Sequence, residues 1–241
     1  MRARVFRPAQ RRYRSMALAT GTVAERVAAL RERVDDVSVA AGRAAGSVAI
    51  LAVTKKHPRE AVLQALGAGL ADIGENYVQE AREKYVDLPP CTRHFIGHVQ
   101  TNKAKAVAGL FDVVQSVDRL DAGLALAKAS RDAGRRLRVL VQVNVSPSER
   151  FGAAPREAPG LAARLRDEGL DVDGVMAIGP LDGDVDGAFA RARETFEQVG
   201  GTTLSLGMSG DWERAVRYGS TMIRIGTAIF GPRPAKERNA A

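Results

Sequence analysis

The sequence predicts an α/β chain folded as a single (β/α)8 TIM barrel with one helix ahead of it, and three observations lead there. Short apolar runs alternate with segments of helical period eight times along the 241 residues. Several runs are nearly continuously apolar, such as Val139-Leu140-Val141-Gln142-Val143-Asn144-Val145, as parallel strands covered by helices on their outer face must be. No Pro- or Ser-rich linker divides the series, and eight β/α units in this length fit closure into a barrel. An open doubly wound sheet is the alternative. Against it, no G-x-G-x-x-G follows any of the runs.

Taken in order, Val23, Val27, Leu30, Val34 and Val37 recur at three- and four-residue steps, so residues 22–43 read as an amphipathic helix. Strands are expected at 49–54, 72–74, 94–97, 113–117, 139–145, 174–178, 203–206 and 222–225. Helical patterns fall between them at 59–68, 77–85, 102–108, 120–133, 158–168, 189–199 and 212–218. The expected domain is 22–233, flanked by a basic, disordered extension at 1–21 and a short tail at 234–241.

Composition narrows the function classes. The net charge is +8, but six arginines (Arg2, Arg4, Arg7, Arg11, Arg12 and Arg14) crowd the first fifteen residues, which hold no acid. The rest of the chain carries an ordinary soluble balance, without the aromatic-interleaved basic stripe of a nucleic-acid binder. The extension reads equally as a disordered arm, a transit-like segment, or an over-long start with Met16 as the true beginning. A single cysteine, Cys91, allows no intrachain disulfide. No apolar stretch is long enough to span a bilayer, and no cleavable signal is evident. A cytoplasmic protein without nucleic-acid or membrane partners is expected.

In a barrel, functional residues gather at the C-terminal ends of the strands. Those ends carry Lys55, Gly74-Glu75-Asn76, Gly97-His98, Gln115-Ser116, Asn144, Ile178-Gly179, Gly207-Met208-Ser209 and Gly226-Thr227. Glycines and short polar side chains concentrate where backbone must approach a ligand. Lys55 ends an apolar strand ahead of a proline, and partial loss of hydration there lowers an amine's pKa and frees it to attack a carbonyl. Adjacent strand residues point to opposite faces, so parity alone leaves Lys55 and Lys56 both open. Across the rim, Gly207-Met208-Ser209-Gly210 and Gly226-Thr227 follow the seventh and eighth strands, the pair of loops that often binds phosphate in such barrels. Arg224 stands inside the last strand. Facing the lumen it needs an acceptor, for which an aromatic ring nitrogen would serve; facing outward it merely covers a helix.

Other constellations carry less. His94 and His98 are four apart but bracket a strand end, where they share no helical face, and no carboxylate set completes a metal site. Cys91 follows Pro89-Pro90 with no cation to activate it, and no Ser-His-Asp order emerges. A Schiff-base lysine, a phosphate site across the rim and an arginine aimed at a ring nitrogen together describe a pyridoxal phosphate pocket. A phosphosugar aldolase fits less well, since it needs no ring partner.

The segments AVTKKHP from Ala52, IGENYVQE from Ile73, HFIGHVQTNK from His94, LSLGMSGD from Leu204 and GSTMIRIGTAIFG from Gly219 span nearly the whole predicted domain. Through them the chain resembles the YggS/PROSC family of pyridoxal phosphate homeostasis proteins, whose barrel is like the N-terminal domain of alanine racemase. The resemblance implies that Lys55, rather than Lys56, forms the Schiff base. It implies that Asn76 lies beside the cofactor ring, and that Ser209 with the backbone of Gly226 and Thr227 cradles the phosphate, to which the loop itself adds Met208. It also implies that Arg224 faces the pyridine nitrogen. One departure stands out: many members have Lys-x-Gly after the fifth strand, where this chain has Arg150-Phe151-Gly152. An arginine forms no Schiff base, so the resemblance carries no second cofactor-binding lysine to this position.

An arginine beside the pyridine nitrogen disfavours its protonation and makes the ring a poor electron sink. The racemases tolerate this with a second base and an added β-domain, for which this chain shows neither residue nor length. The expectation is a monomeric binder that holds, buffers or delivers pyridoxal phosphate, with dependent apoenzymes as partners, and no robust catalysis. The alternatives are a racemase of low activity and, from another class, an RNA- or protein-binding module built on the basic extension.

Overall fold

The computed structural model describes residues 21–146, 151–181 and 183–232. Of the basic extension expected at 1–21, all but Gly21 lies outside these residues, as do Met16, Arg150 and the tail at 234–241. Within them, eight parallel strands pair in chain order and close on themselves: β1 (Ala49–Val53), β2 (Asp72–Glu75), β3 (Thr92–Phe95), β4 (Val113–Val117), β5 (Arg138–Val143), β6 (Asp171–Ala177), β7 (Thr203–Ser205) and β8 (Met222–Ile225). The register Leu51↔Arg224 seals β1 against β8.

The first helix, α1 (Val23–Ala40), begins where the sequence supplies a capping box. The Thr22 hydroxyl accepts the Glu25 N–H, and the Glu25 carboxylate accepts the Thr22 N–H in return. Its apolar stripe of Val23, Val27, Leu30 and Val34 is buried. Covering a side chain the size of Leu30 completely is worth about 2 kcal/mol. Around the barrel run α2 (Arg59–Gly67), α3 (Val78–Lys84), α4 (Ala104–Leu110), α5 (Leu120–Asp132), α6 (Ala158–Asp167), α7 (Val185–Val199) and α8 (Trp212–Arg217). A last turn, α9 (Thr227–Phe230), follows β8, and α1 packs against α2, α8 and α9.

Strand parity sorts the residues into two layers. Ile50, Ala52, Ile73, Phe95 and Val139 face the helices and join the main apolar core. Residues of the other parity fill the lumen, among them Leu51, Leu140, Met176 and Met222. Gly74 belongs to this inner layer: a Cβ there would come within 2.5 Å of Leu51 Cδ2, so the glycine makes room for the leucine.

The structure moves several expected boundaries. The sixth strand starts at Asp171 rather than 174, because it runs straight through Gly174 at φ 140, where a Cβ would strike the Thr203 carbonyl. A glycine that reads as a strand start is instead a point of close strand contact. The sixth strand-linking helix, α7, starts at Val185 rather than 189, since Asp184 caps it by accepting the Gly187 N–H. The turn α9 stands within the segment after the eighth strand that reads in the sequence as a loop. β3 and β5 also end earlier than expected, at Phe95 and Val143, which frees the residues beyond them for the rim.

Candidate cofactor site

At the C-terminal end of the barrel lies a cavity of about 290 Å³, close to the lower bound of roughly 300 Å³ usual for small-molecule pockets. Lys55, Asn76, Met208, Ser209, Arg224, Gly226 and Thr227 all line it. The strand layers explain this convergence. Leu51, Val53 and Lys55 share the inward parity of β1, and Val53 and Lys55 both reach the cavity wall. Lys56 departs from that wall with its backbone at φ 63, and its side chain is exposed. The parity that the sequence leaves open is thereby decided in favour of Lys55 as the cavity lysine. A non-glycine residue in the left-handed region costs about 1–2 kcal/mol, so the turn after Lys55 is held under strain.

Asn76 follows β2 on the same side. Its Oδ1 is buried and has no hydrogen-bond partner among the described residues, which leaves an acceptor in the cavity wall for a ligand group to meet. Gly97 holds the end of the neighbouring strand against it, because a Cβ at 97 would run into the Asn76 carbonyl oxygen.

The two glycine loops close the opposite wall. Gly207 sits at φ 97, and a Cβ there would lie 2.8 Å from the Trp212 Cα, so only glycine lets β7 turn into α8 this tightly. The Met208 N–H donates to Asp211 Oδ1 at 2.6 Å, while no acceptor for the Ser209 and Gly210 N–H groups stands among the described residues. Gly226 brings the other loop against β1, with space for a Cβ only 3.4 Å from the Val53 carbonyl oxygen. Lysine and phosphate-type loops therefore sit at the closed seam of the barrel rather than at distant points of its rim.

Arg224 faces the lumen, not the helices. Its Nη1 donates to the Ser205 carbonyl and hydroxyl oxygens, both at 2.8 Å, and its Nη2 to the Ala177 carbonyl at 2.9 Å. Burial pushes its guanidinium down to about 10, partly offset by Asp211, so it stays charged at neutral pH. Ser205 is itself held by donating to Gln115 Oε1 at 2.7 Å. Gln115 Nε2 meets His94 Nδ1, whose Nε2 meets Asp72 Oδ1, each at 2.9 Å. A chain of hydrogen bonds thus crosses the lumen from Asp72 to the arginine. His94 belongs to that chain, whereas His98 stacks on Phe151 at 4.0 Å between ring centroids.

Sequence reasoning missed Val53, His57, Ile96 and Met176 as cavity-lining residues, whereas Ile178 and Gly210, named at the strand ends, do line it. Their apolar or loop positions carry no chemical signature of their own. It missed as well the partners that orient Arg224. For Gln115 and Ser205 the inward parity of their strands was the available signal.

Two glycine loops, a lysine, an unmet amide oxygen and a buried guanidinium surround one small cavity at the C-terminal end of a closed parallel barrel. A family model described as the N-terminal domain of alanine racemase matches residues 26–234. The pyridoxal phosphate homeostasis protein of Pseudomonas aeruginosa is 43% identical over 222 residues, covering 88% of this chain and 96% of that one. The protein of the same name from Deinococcus radiodurans is 35% identical over 207 residues, covering 85% and 99%. The structure of PipY from Synechococcus elongatus with pyridoxal phosphate bound superposes with a TM-score of 0.76 at 34% identity, covering 87% of this chain and all of that one. The chain belongs to the pyridoxal phosphate homeostasis protein family, a branch of the barrels that resemble the alanine racemase N-terminal domain.

Proposed function

We propose that this protein binds pyridoxal phosphate as a Schiff base on Lys55 and serves to hold and hand on the cofactor rather than to turn over a substrate. The single observation that carries the proposal is the convergence of Lys55, the two glycine loops and Arg224 on one small cavity. Lys55 would hold the cofactor by its amine, bonding to the aldehyde carbon with loss of one water. Ser209, Gly210, Gly226 and Thr227 supply backbone and hydroxyl donors to the phosphate, and Asn76 offers its amide beside the ring. When bound, the cofactor supplies a reactive aldehyde and an electron-accepting ring. Arg224 opposes protonation of the ring nitrogen and so weakens the second of these. The names of the relatives and the cofactor in the PipY structure support the same ligand.

Delivery to apoenzymes, a monomeric state and a place in the cytoplasm go with this proposal. Among the described residues no helix is long and apolar enough to cross a membrane. A racemase of low activity is the second reading, and it too would use Lys55.

Borohydride reduction of the purified, cofactor-loaded protein should fix the cofactor on the peptide carrying Lys55. Lys55→Ala should lose the yellow colour and the label. Labelling that survives Lys55→Ala overturns the proposal. Exchange of amino acid α-protons in deuterated water separates holder from enzyme, since rapid exchange that depends on Lys55 supports the racemase.

A further inference from the structure

Behind Lys55, on the outer face of the same strands, lies a buried ionic cluster with no part in the cavity wall. Lys84, on α3, is buried, and so is Glu75, at the end of β2. Lys84 Nζ donates to Glu75 Oε1 at 2.7 Å, to Glu80 Oε2 at 2.9 Å and to the Thr54 carbonyl oxygen at 2.9 Å, which uses all three of its N–H bonds. Glu75 Oε1 also accepts the Thr54 hydroxyl at 2.6 Å. Glu80 Oε2 accepts the Lys56 N–H at 2.8 Å. The cluster therefore grips the chain at Thr54 and at Lys56, the two residues that flank Lys55.

A buried ion cluster that merely pinned α3 to the barrel would have no need of those two backbone atoms. Here one oxygen of Glu80 joins the buried ammonium to the N–H of Lys56, the residue driven to φ 63. Without an acceptor in that place the strained turn has an easier conformation to relax into, and Lys55 swings with it. Its side chain is long and rotamer-rich, so the aim of its amine depends on a fixed Cα. We propose that Glu75, Glu80 and Lys84 are positioning residues for Lys55, clamping the backbone on both sides of it so that its amine meets the cofactor aldehyde in the cavity. This rests on the Schiff-base proposal above and goes beyond it, by assigning a task to three residues outside the pocket.

The test uses two ligands, pyridoxal phosphate and deoxypyridoxine phosphate, which keeps the ring and the phosphate but lacks the aldehyde. Glu80→Ala removes the acceptor of the Lys56 N–H from a site whose side chain is 30% exposed, so the fold should survive. The double variant Lys84→Met with Glu75→Gln removes the buried charges together and leaves neither stranded. Both should bind pyridoxal phosphate about tenfold to a hundredfold more weakly and trap less of it with borohydride at Lys55. Their affinity for deoxypyridoxine phosphate should stay that of the parent. Equal losses for the two ligands would mean a purely structural cluster and overturn the proposal, as would unchanged affinity for the aldehyde. Should the parent protein itself trap no cofactor at Lys55, the Schiff-base proposal fails with it, and that is seen before any variant is made.

Discussion

Arg224 carries a full charge into the lumen, and no ion pair to it is found among the described residues. Its hydrogen bonds go to two carbonyls and a hydroxyl, neutral acceptors that fix its direction without cancelling its charge. Such an arrangement suits a group meant to act on a ligand, because a carboxylate partner would weaken the field that, on the reading proposed above, a ring nitrogen would feel. Arg224→Met should strand the acceptors at Ser205 and Ala177 and lower stability by about 2–4 kcal/mol in urea unfolding. Bound cofactor should remain attached through Lys55 but change its visible absorption, since the ring nitrogen then titrates freely. An unchanged spectrum would place the ring nitrogen elsewhere. At this scale the sequence was legible in residue type and ambiguous in direction. Lys55 and Lys56 differ by a single step of parity, and only the side on which Leu51 and Val53 stack decides between them. Arg224 was equally open, because nothing in one strand says which face closes on the lumen.

Between elements, the site depends on how closely strand ends approach one another. β2 and β3 run side by side to Asn76 and Gly97, and the missing side chain at 97 is what lets them meet. Gly97→Ala should push the Asn76 carbonyl aside, at about 1–3 kcal/mol of stability for an overpacked contact. Because Asn76 lines the cavity, cofactor affinity should fall along with the unfolding midpoint. Loss of stability with affinity intact would remove Asn76 from the ligand's surroundings. The helices and strands themselves were mostly legible, since apolar period survives wherever an element has one covered face. What escaped were glycines with two meanings. Gly174 reads as a strand start and is a crossing point within β6; Gly187, ahead of the expected helix start at 189, sits in the first turn of α7. In both cases a contact with a distant segment or a cap overrode local propensity, and that contact exists only once the barrel has closed.

Two ionic clusters stand at opposite ends of the barrel, one around Glu75 at the end of β2 and one around Asp112 ahead of β4. At the cofactor end, Glu75 is pushed upward by burial despite its bonds to Lys84 and Thr54. A carboxyl raised in the folded state contributes stability at low pH that is lost as pH rises through its folded value. At the opposite end, Asp112 precedes β4 and ties three strands together. Its Oδ1 accepts Arg93 Nη2 and Arg135 Nη2, both at 2.8 Å, and its Oδ2 accepts the Arg93 backbone N–H at 3.0 Å. Burial pushes its carboxyl up, but the hydrogen bonds from Arg93 and the charges of Arg93 and Arg135 outweigh this and hold it below the ordinary 3.8. Here the sign is reversed. The stabilisation is fully present above 3.8 and disappears as pH falls through the lower folded value, as the carboxylate takes up a proton that both arginines oppose. The closure that sets the cavity in place is thus fastened at its base by a contact that acid dissolves. Asp112→Asn should lower the urea midpoint at neutral pH by the equivalent of about 2 kcal/mol. Near pH 3 it should cost much less, because the parent has then lost most of the same contribution. The measurement is the difference in unfolding free energy between parent and variant, followed from neutral to acid. A difference that stays constant over that range would mean that the Asp112 charge does not fasten the barrel, and that packing at the base suffices to close it.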